Sequence, residues 1–140
     1  MTRRKKLEKP SEILKIYSEK LSQGFENRLS PMSFEVNFSF RSLRTAFLTG
    51  FVVFRNGWML KFDEIIQQQS NQVVRLKYRY HVMDKDKQLI FRYDNVAHFP
   101  KIKTHPHHKH LPNKVEQSSN PNLIDVIEEI ELKIIKSINR

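Results

Sequence analysis

Cysteine is absent from the chain, which excludes disulfides, thiolate metal ligands and a cysteine nucleophile. Glycine is nearly absent too, and three residues in 140 cannot supply a glycine-rich phosphate loop. No apolar run approaches the roughly 18 residues that read as a membrane-spanning helix. The basic start, Met1 to Lys6, has no apolar stretch behind it and does not read as a signal peptide. Neither a serine nucleophile elbow, nor paired carboxylates, nor an internal repeat is found. Acidic residues are in short supply, 15 against 25 Lys and Arg, giving a formal charge of +10. Such a chain attracts polyanions through a field that does not depend on their sequence. A membrane surface is the poorer partner, because neither candidate helix is a basic amphipathic one.

What is present suffices for one domain spanning residues 1–140. The apolar fraction is 39%, but it includes ten Phe, four Tyr and one Trp, and aromatic rings bury large areas each. Residues 1–9 read as a mobile basic arm. Ile13, Leu14, Tyr17 and Leu21 share one helical face, with Pro10 in the first turn and Gly24 as the stop. From Ser33 the period becomes two: Phe34, Val36, Phe38 and Phe40 alternate with Glu35, Asn37, Ser39 and Arg41, as in a half-buried strand. Asn56-Gly57 between the runs Phe47–Arg55 and Trp58–Ile66 predicts a hairpin with a type I′ turn. Gln67 to Gln72 forms the next connection.

A second hairpin carries more information. Val73–Met83 and Gln88–Asp94 are joined at Asp84–Lys87, with Met83 opposite Gln88. Tyr78, Tyr80 and Val82 then lie with Leu89, Phe91 and Tyr93 on an apolar face. The opposite face carries Arg75, Lys77, Arg79 and His81, with Arg92 across from Arg79 and Asp94 across from Lys77. Two opposed arginines repel unless an anion sits between them or both splay into solvent.

Residues 95–121 show no sustained period and contain Pro100, Pro106, Pro112 and Pro121, the character of a long functional loop. A last helix opens at Asn120-Pro121, with Leu123, Ile127, Ile130, Ile134 and Ile138 on one stripe. Its acids come early and its bases late, as the helix dipole favours. The fold class expected is therefore α+β, an antiparallel β-meander of about five strands packed against an N-terminal and a C-terminal helix.

Five of the six histidines, His98, His105, His107, His108 and His110, fall within thirteen residues. Three uses compete for them. Metal binding lacks a nearby acidic or thiolate ligand and sits in a positive field, and the spacing matches no strong zinc signature. Phosphate chemistry needs no metal on RNA, which carries its own 2′-hydroxyl nucleophile. It needs a base, an acid and cations, and histidine serves in either protonation state near neutrality. Plain binding would use the basic strand face, with Tyr78, Tyr80, Tyr93 or Phe99 stacking on bases if they are not core residues.

The motifs also resemble those of a known family. Tyr78-Arg79-Tyr80-His81, then Leu89 through Asn95, then His98, then Pro106 through Leu111 are similar to TumE-type toxins of prokaryotic toxin–antitoxin modules. The acidic, Leu/Ile-rich helix after Asn120 is similar as well. The resemblance covers roughly Val73 to Lys136, with matching positions at Arg92, Asp94, Asn95, His98, Pro106, His107, His108, Lys109 and His110. Phe99 and His105 depart from the family pattern, which often has His and Phe there. The resemblance implies a small growth inhibitor that cleaves or targets RNA and is held in check by a helix-turn-helix antitoxin.

Together these readings lead to a cytoplasmic toxin acting as a metal-independent endoribonuclease without cofactor. His98, His107, His108 and His110 supply base and acid, with Arg92 and Asp94 completing the catalytic set. Asp94 acts as an orienter, since a carboxyl with an ordinary pKa near 3.9 is a weak base. Arg75, Lys77, Arg79, His81 and Lys109 hold phosphate. RNA and the antitoxin are the expected partners, and the reading admits a homodimer. The alternative is a non-catalytic nucleic-acid-binding accessory protein using the same patch. A third class, an interaction protein docking through its acidic last helix, would be indifferent to His107→Ala.

Overall fold

The computed structural model describes residues 11–28, 31–96 and 105–138. The arm expected at residues 1–9 and the candidate His98 lie outside them. Two helices and seven strands follow in the order α1 (Glu12–Glu26), β1 (Pro31–Phe40), β2 (Thr45–Phe54), β3 (Met59–Gln69), β4 (Gln72–Met83), β5 (Leu89–Asp94), β6 (His108–Leu111), β7 (Lys114–Gln117) and α2 (Leu123–Ile138). The strands form one sheet in chain order, every neighbour antiparallel. The α+β class holds. The two strands beyond the expected five, β6 and β7, are four residues each and fall within the stretch read as a loop.

Period-two alternation sends one face of the sheet to the helices and the other to solvent. Leu48, Val52 and Phe54 of β2, Leu60 and Phe62 of β3, Tyr78, Tyr80 and Val82 of β4, and Phe91 and Tyr93 of β5 meet Phe25 of α1 and Leu123, Val126, Ile127 and Ile130 of α2 in one core. The tyrosines are therefore core residues rather than a stacking platform. Ser11 caps α1 by accepting from the Leu14 amide at 3.2 Å, which satisfies one of the orphan donors of the first turn. Gly24 does not stop the helix. It lies inside α1, where a Cβ would come within 3.0 Å of the Ile124 side chain, so it lets α1 and α2 approach closely.

Three local features differ from expectation. At the β2–β3 turn only Gly57 takes a positive φ, +89°. Its amide donates to the Phe54 carbonyl and the Phe54 amide donates to the Trp58 carbonyl, both at 2.9 Å. This is a three-residue loop ending in a glycine, not a type I′ turn. Between β3 and β4 the connection is only Ser70-Asn71, so the glutamines belong to strands. The β4–β5 register is two residues from the expected one: Arg79 pairs with Asp94 and His81 with Arg92. The Asp84 side chain accepts from the Asp86 and Gln88 amides at 2.8 and 2.9 Å. The loop is thereby lengthened, and a bulge beside Met83 absorbs the offset. Arginine now faces a carboxylate instead of another arginine.

Candidate functional site

Following each cross-strand pair across the solvent-facing side yields two adjacent rows. The first is Lys61 (β3), His81 (β4), Arg92 (β5), His110 (β6) and Val115 (β7). The second is Asp63, Arg79, Asp94, His108 and Gln117 on the same strands. Strands about 4.8 Å apart place the Cα atoms of His81 and His110 about 10 Å apart, one on each side of Arg92.

Asp94 is the hub. Its side chain is only 4% exposed, and its carboxylate accepts from Arg92 Nε at 3.1 Å. It also meets His108 Nε2 at 2.7 Å and His110 Nε2 at 3.4 Å. The Val96 amide donates to it as well, at 3.1 Å. His108 is buried, and its other nitrogen, Nδ1, faces the Pro106 carbonyl at 3.0 Å. With both nitrogens held inside the protein, His108 orients its neighbours and is poorly placed to reach a substrate. The edge-on contact of its ring with His110, centroids 4.7 Å apart, carries that orientation to the rim.

The rim histidines sit in a cationic field. The pKa of His81 is lowered by burial first, and then by Arg92, Arg79 and Lys61. That of His110 is lowered by burial and Arg92, with Asp94 opposing. Both are thus biased toward the neutral form. Arg79 is tied to Asp63 at 3.0 Å. Beyond it an open cleft of about 240 Å³ is lined by Asp63, Ile65, Lys77, Arg79 and Val96 among others.

Not every candidate belongs to this face. Among the described residues, Arg92, Asp94, His108 and His110 converge, with Arg79 and His81 beside them and exposed Lys77 at the cleft. Arg75 is a correction. A bulge opposite Ile65 and Ile66 turns it to the helix side, where its guanidinium lies 3.9 Å over the Tyr78 ring. There it also donates to the Tyr80 hydroxyl and the Pro121 carbonyl, each at 2.6 Å, and to Asn120. Lys109 is another, because alternation along β6 sends it to Glu129 of α2 at 3.0 Å. His107 stacks on Tyr78, and its Nδ1 lies 2.8 Å from that hydroxyl. It too is turned away from the rows, toward a core tyrosine. Its pKa is lowered by burial, then by Arg75 and His108.

The sequence reading did not single out Lys61 and Asp63, which become row members only once β3 is aligned on β4. It also passed over Glu64, which is buried at 2% exposure. Glu64 accepts from the hydroxyls of Tyr17 and Tyr80 at 2.5 and 2.6 Å. That buried polar cluster, with Arg75 bonded to Tyr80, braces α1 against the sheet.

Comparison with protein families decides the affiliation. The profile of Toxin TumE matches residues 25–137. The chain belongs to the TumE toxin family. The TumE match takes in the whole sheet and nearly all of α2, and so extends well N-terminal of the motifs between Val73 and Lys136. Membership supports a toxin role. Neither a curated protein nor a solved structure gives a significant match. Among the described residues no helix is long and apolar enough to cross a membrane.

Proposed function

We propose that this TumE-family toxin is a metal-independent endoribonuclease working in the cytoplasm on single-stranded RNA, held in check by a cognate helix-turn-helix antitoxin. The observation that carries the reading is the row Lys61, His81, Arg92, His110. A phosphodiester lying over Arg92 has a histidine on each side and further cations at Lys61 and Arg79. The neutral imidazole of one rim histidine takes the proton of the 2′-hydroxyl. The other, which takes a proton from solvent once the approaching phosphate anion favours its charged form, delivers that proton to the departing 5′-oxygen. The 2′-oxygen bonds to phosphorus as the 5′-oxygen bond breaks, leaving a 2′,3′-cyclic phosphate and a 5′-hydroxyl. Arg92 stabilises the charge that builds on the phosphorane oxygens, and the Asp94–His108 pair fixes both Arg92 and His110. The apolar floor of the neighbouring cleft suits a base beside that phosphate.

End-labelled single-stranded RNA incubated with the full chain, with and without EDTA, tests this. Cyclic phosphate ends should form in both cases. His81→Gln and His110→Gln should each slow cleavage by about 100-fold or more, the usual worth of a general acid or base. Intact RNA bound in a salt-sensitive manner would replace the nuclease with a non-catalytic binder. With about three phosphates neutralised, the logarithmic salt slope on single strands should be about −2. Cleavage abolished by EDTA would overturn the metal-independent mechanism.

A further inference from the structure

We propose that Asp94, His108 and His110 form a binding site for a late first-row transition ion, with zinc(II) as the reference case. One carboxylate oxygen and one ring nitrogen from each histidine lie within 4.8 Å of one another. They come from two paired strands: Asp94 faces His108 across the β5–β6 ladder, and His110 is two residues further along β6. No acidic ligand lies near the histidine cluster along the chain, but the neighbouring strand brings one, Asp94, opposite His108.

The surroundings of the three donors match what a metal requires. Imidazole ligands of metals usually place their second nitrogen against a carbonyl or carboxylate, which fixes tautomer and ring orientation. His108 does this, with Nδ1 against the Pro106 carbonyl and Nε2 toward Asp94. Bound carboxylates are commonly held from outside, and Arg92 Nε and the Val96 amide hold this one. Tetrahedral zinc with bonds of about 2.0–2.2 Å spaces its ligand atoms about 3.4 Å apart. His110 Nε2 is already 3.4 Å from Asp94 Oδ2, whereas His108 Nε2 lies 2.7 Å from the other oxygen, Oδ1, so the carboxylate must turn and that contact open to give one donor oxygen to a shared ion.

The donor set also selects the metal. Two imidazoles and one carboxylate suit zinc, nickel or copper, whereas magnesium and calcium prefer oxygen shells. Arg92 and Arg79 repel any cation, so only ions with strong nitrogen affinity gain enough to enter. An ion held here occupies the His110 nitrogen, so the metal-bound form is not the one that performs the proposed cleavage, and the site is tested without RNA.

The experiment is calorimetric titration of zinc chloride into the full chain near neutral pH. One ion per chain is expected. His110→Gln and Asp94→Asn should each weaken binding by more than about tenfold, while His105→Ala and His107→Ala should not. Cobalt(II) should give the intense visible bands of a four-coordinate ion, lost in His110→Gln. Circular dichroism checks that each variant is folded, and His110, at the rim, is the variant least exposed to that objection. No saturable uptake by the unmodified chain would overturn the proposal. Uptake that survives His110→Gln and Asp94→Asn but disappears in His105→Ala or His107→Ala would also overturn it.

Discussion

Replacing Asp94 with asparagine isolates the charge and second acceptor of the hub while keeping its shape. The carboxylate offers two acceptor oxygens, and the structure uses both. Oδ1 serves His108 Nε2 at 2.7 Å and the Val96 amide at 3.1 Å, while Oδ2 serves Arg92 Nε at 3.1 Å and lies 3.4 Å from His110 Nε2. Asparagine has one acceptor, so its amide hydrogens must confront either Arg92 or His108. Hydrogen bonds to a charged group contribute about 1.5–3 kcal/mol each, and leaving a buried charge unpaired costs about 3–5 kcal/mol. Arg92 keeps about a third of its side chain in solvent, which reduces the upper figure, and a net loss of about 2–4 kcal/mol follows. With an unfolding entropy of about 2.1 cal/mol/K per residue, that lowers the Tm by about 7–14 °C. Thermal and urea unfolding followed by circular dichroism measure it. A double-mutant cycle with His108→Gln should show coupling of about 1 kcal/mol or more. A loss under about 0.5 kcal/mol, the scale of an ordinary surface substitution, would refute the view that this carboxylate ties β5 to β6.

Other consequences are open to measurement. Gly50→Ala should destabilise by about 1–3 kcal/mol or block folding, since the new Cβ would lie 2.1 Å from the Glu35 carbonyl and 2.6 Å from the Phe62 ring; wild-type stability would show that β1 and β2 are not packed as described. Burial pushes the Tyr78 hydroxyl up to about 12, and Tyr17, Tyr80 and Tyr93 are raised as well. Because the folded state holds these protons more tightly, this stability is complete below pH about 10 and drains away as pH rises through the folded values. Ultraviolet titration should show tyrosinate only late in the alkaline limb, and four ordinary titrations near pH 10 would contradict it. His81, His107 and His110 shift the other way. The unfolded chain binds their protons more readily, so their contribution is present above pH about 6.5 and is lost on acidification. Proton NMR should find these rings neutral when an exposed histidine is half charged, and phosphate should raise the midpoints of His81 and His110.

The sequence carried the faces of the strands better than their alignment. Alternation in Tyr78, Tyr80 and Val82 against Phe91 and Tyr93 separated core from solvent correctly, because a register slip of two residues leaves every side chain on its face. It could not reveal which residues stand opposite one another. That depended on the Asp84 side chain consuming two amides and on bulges beside Met83 and at Leu76, none of which leaves a hydrophobic signature. The second bulge moved Arg75 to the wrong side of the expectation. Strands of four residues are too short for a period to register against His, Lys and Pro, so β6 stayed hidden. With it stayed the fact that Asp94, His108 and His110 meet. The cluster was legible as composition, and its geometry only as pairing.

A meander has a further consequence for a toxin. Each strand of the sheet depends on its neighbours in the chain, and β6 is joined to β5 through only three residue pairs, two of which are the site itself. The hairpin that completes the constellation is therefore the least anchored part of the sheet, and its opening free energy lies below that of the whole domain. Amide hydrogens of His108–Leu111 should exchange before those of β3 and β4. The molecule can thus lose its proposed chemistry by peeling back two short strands, while the core built by α1, α2 and the longer strands stays closed.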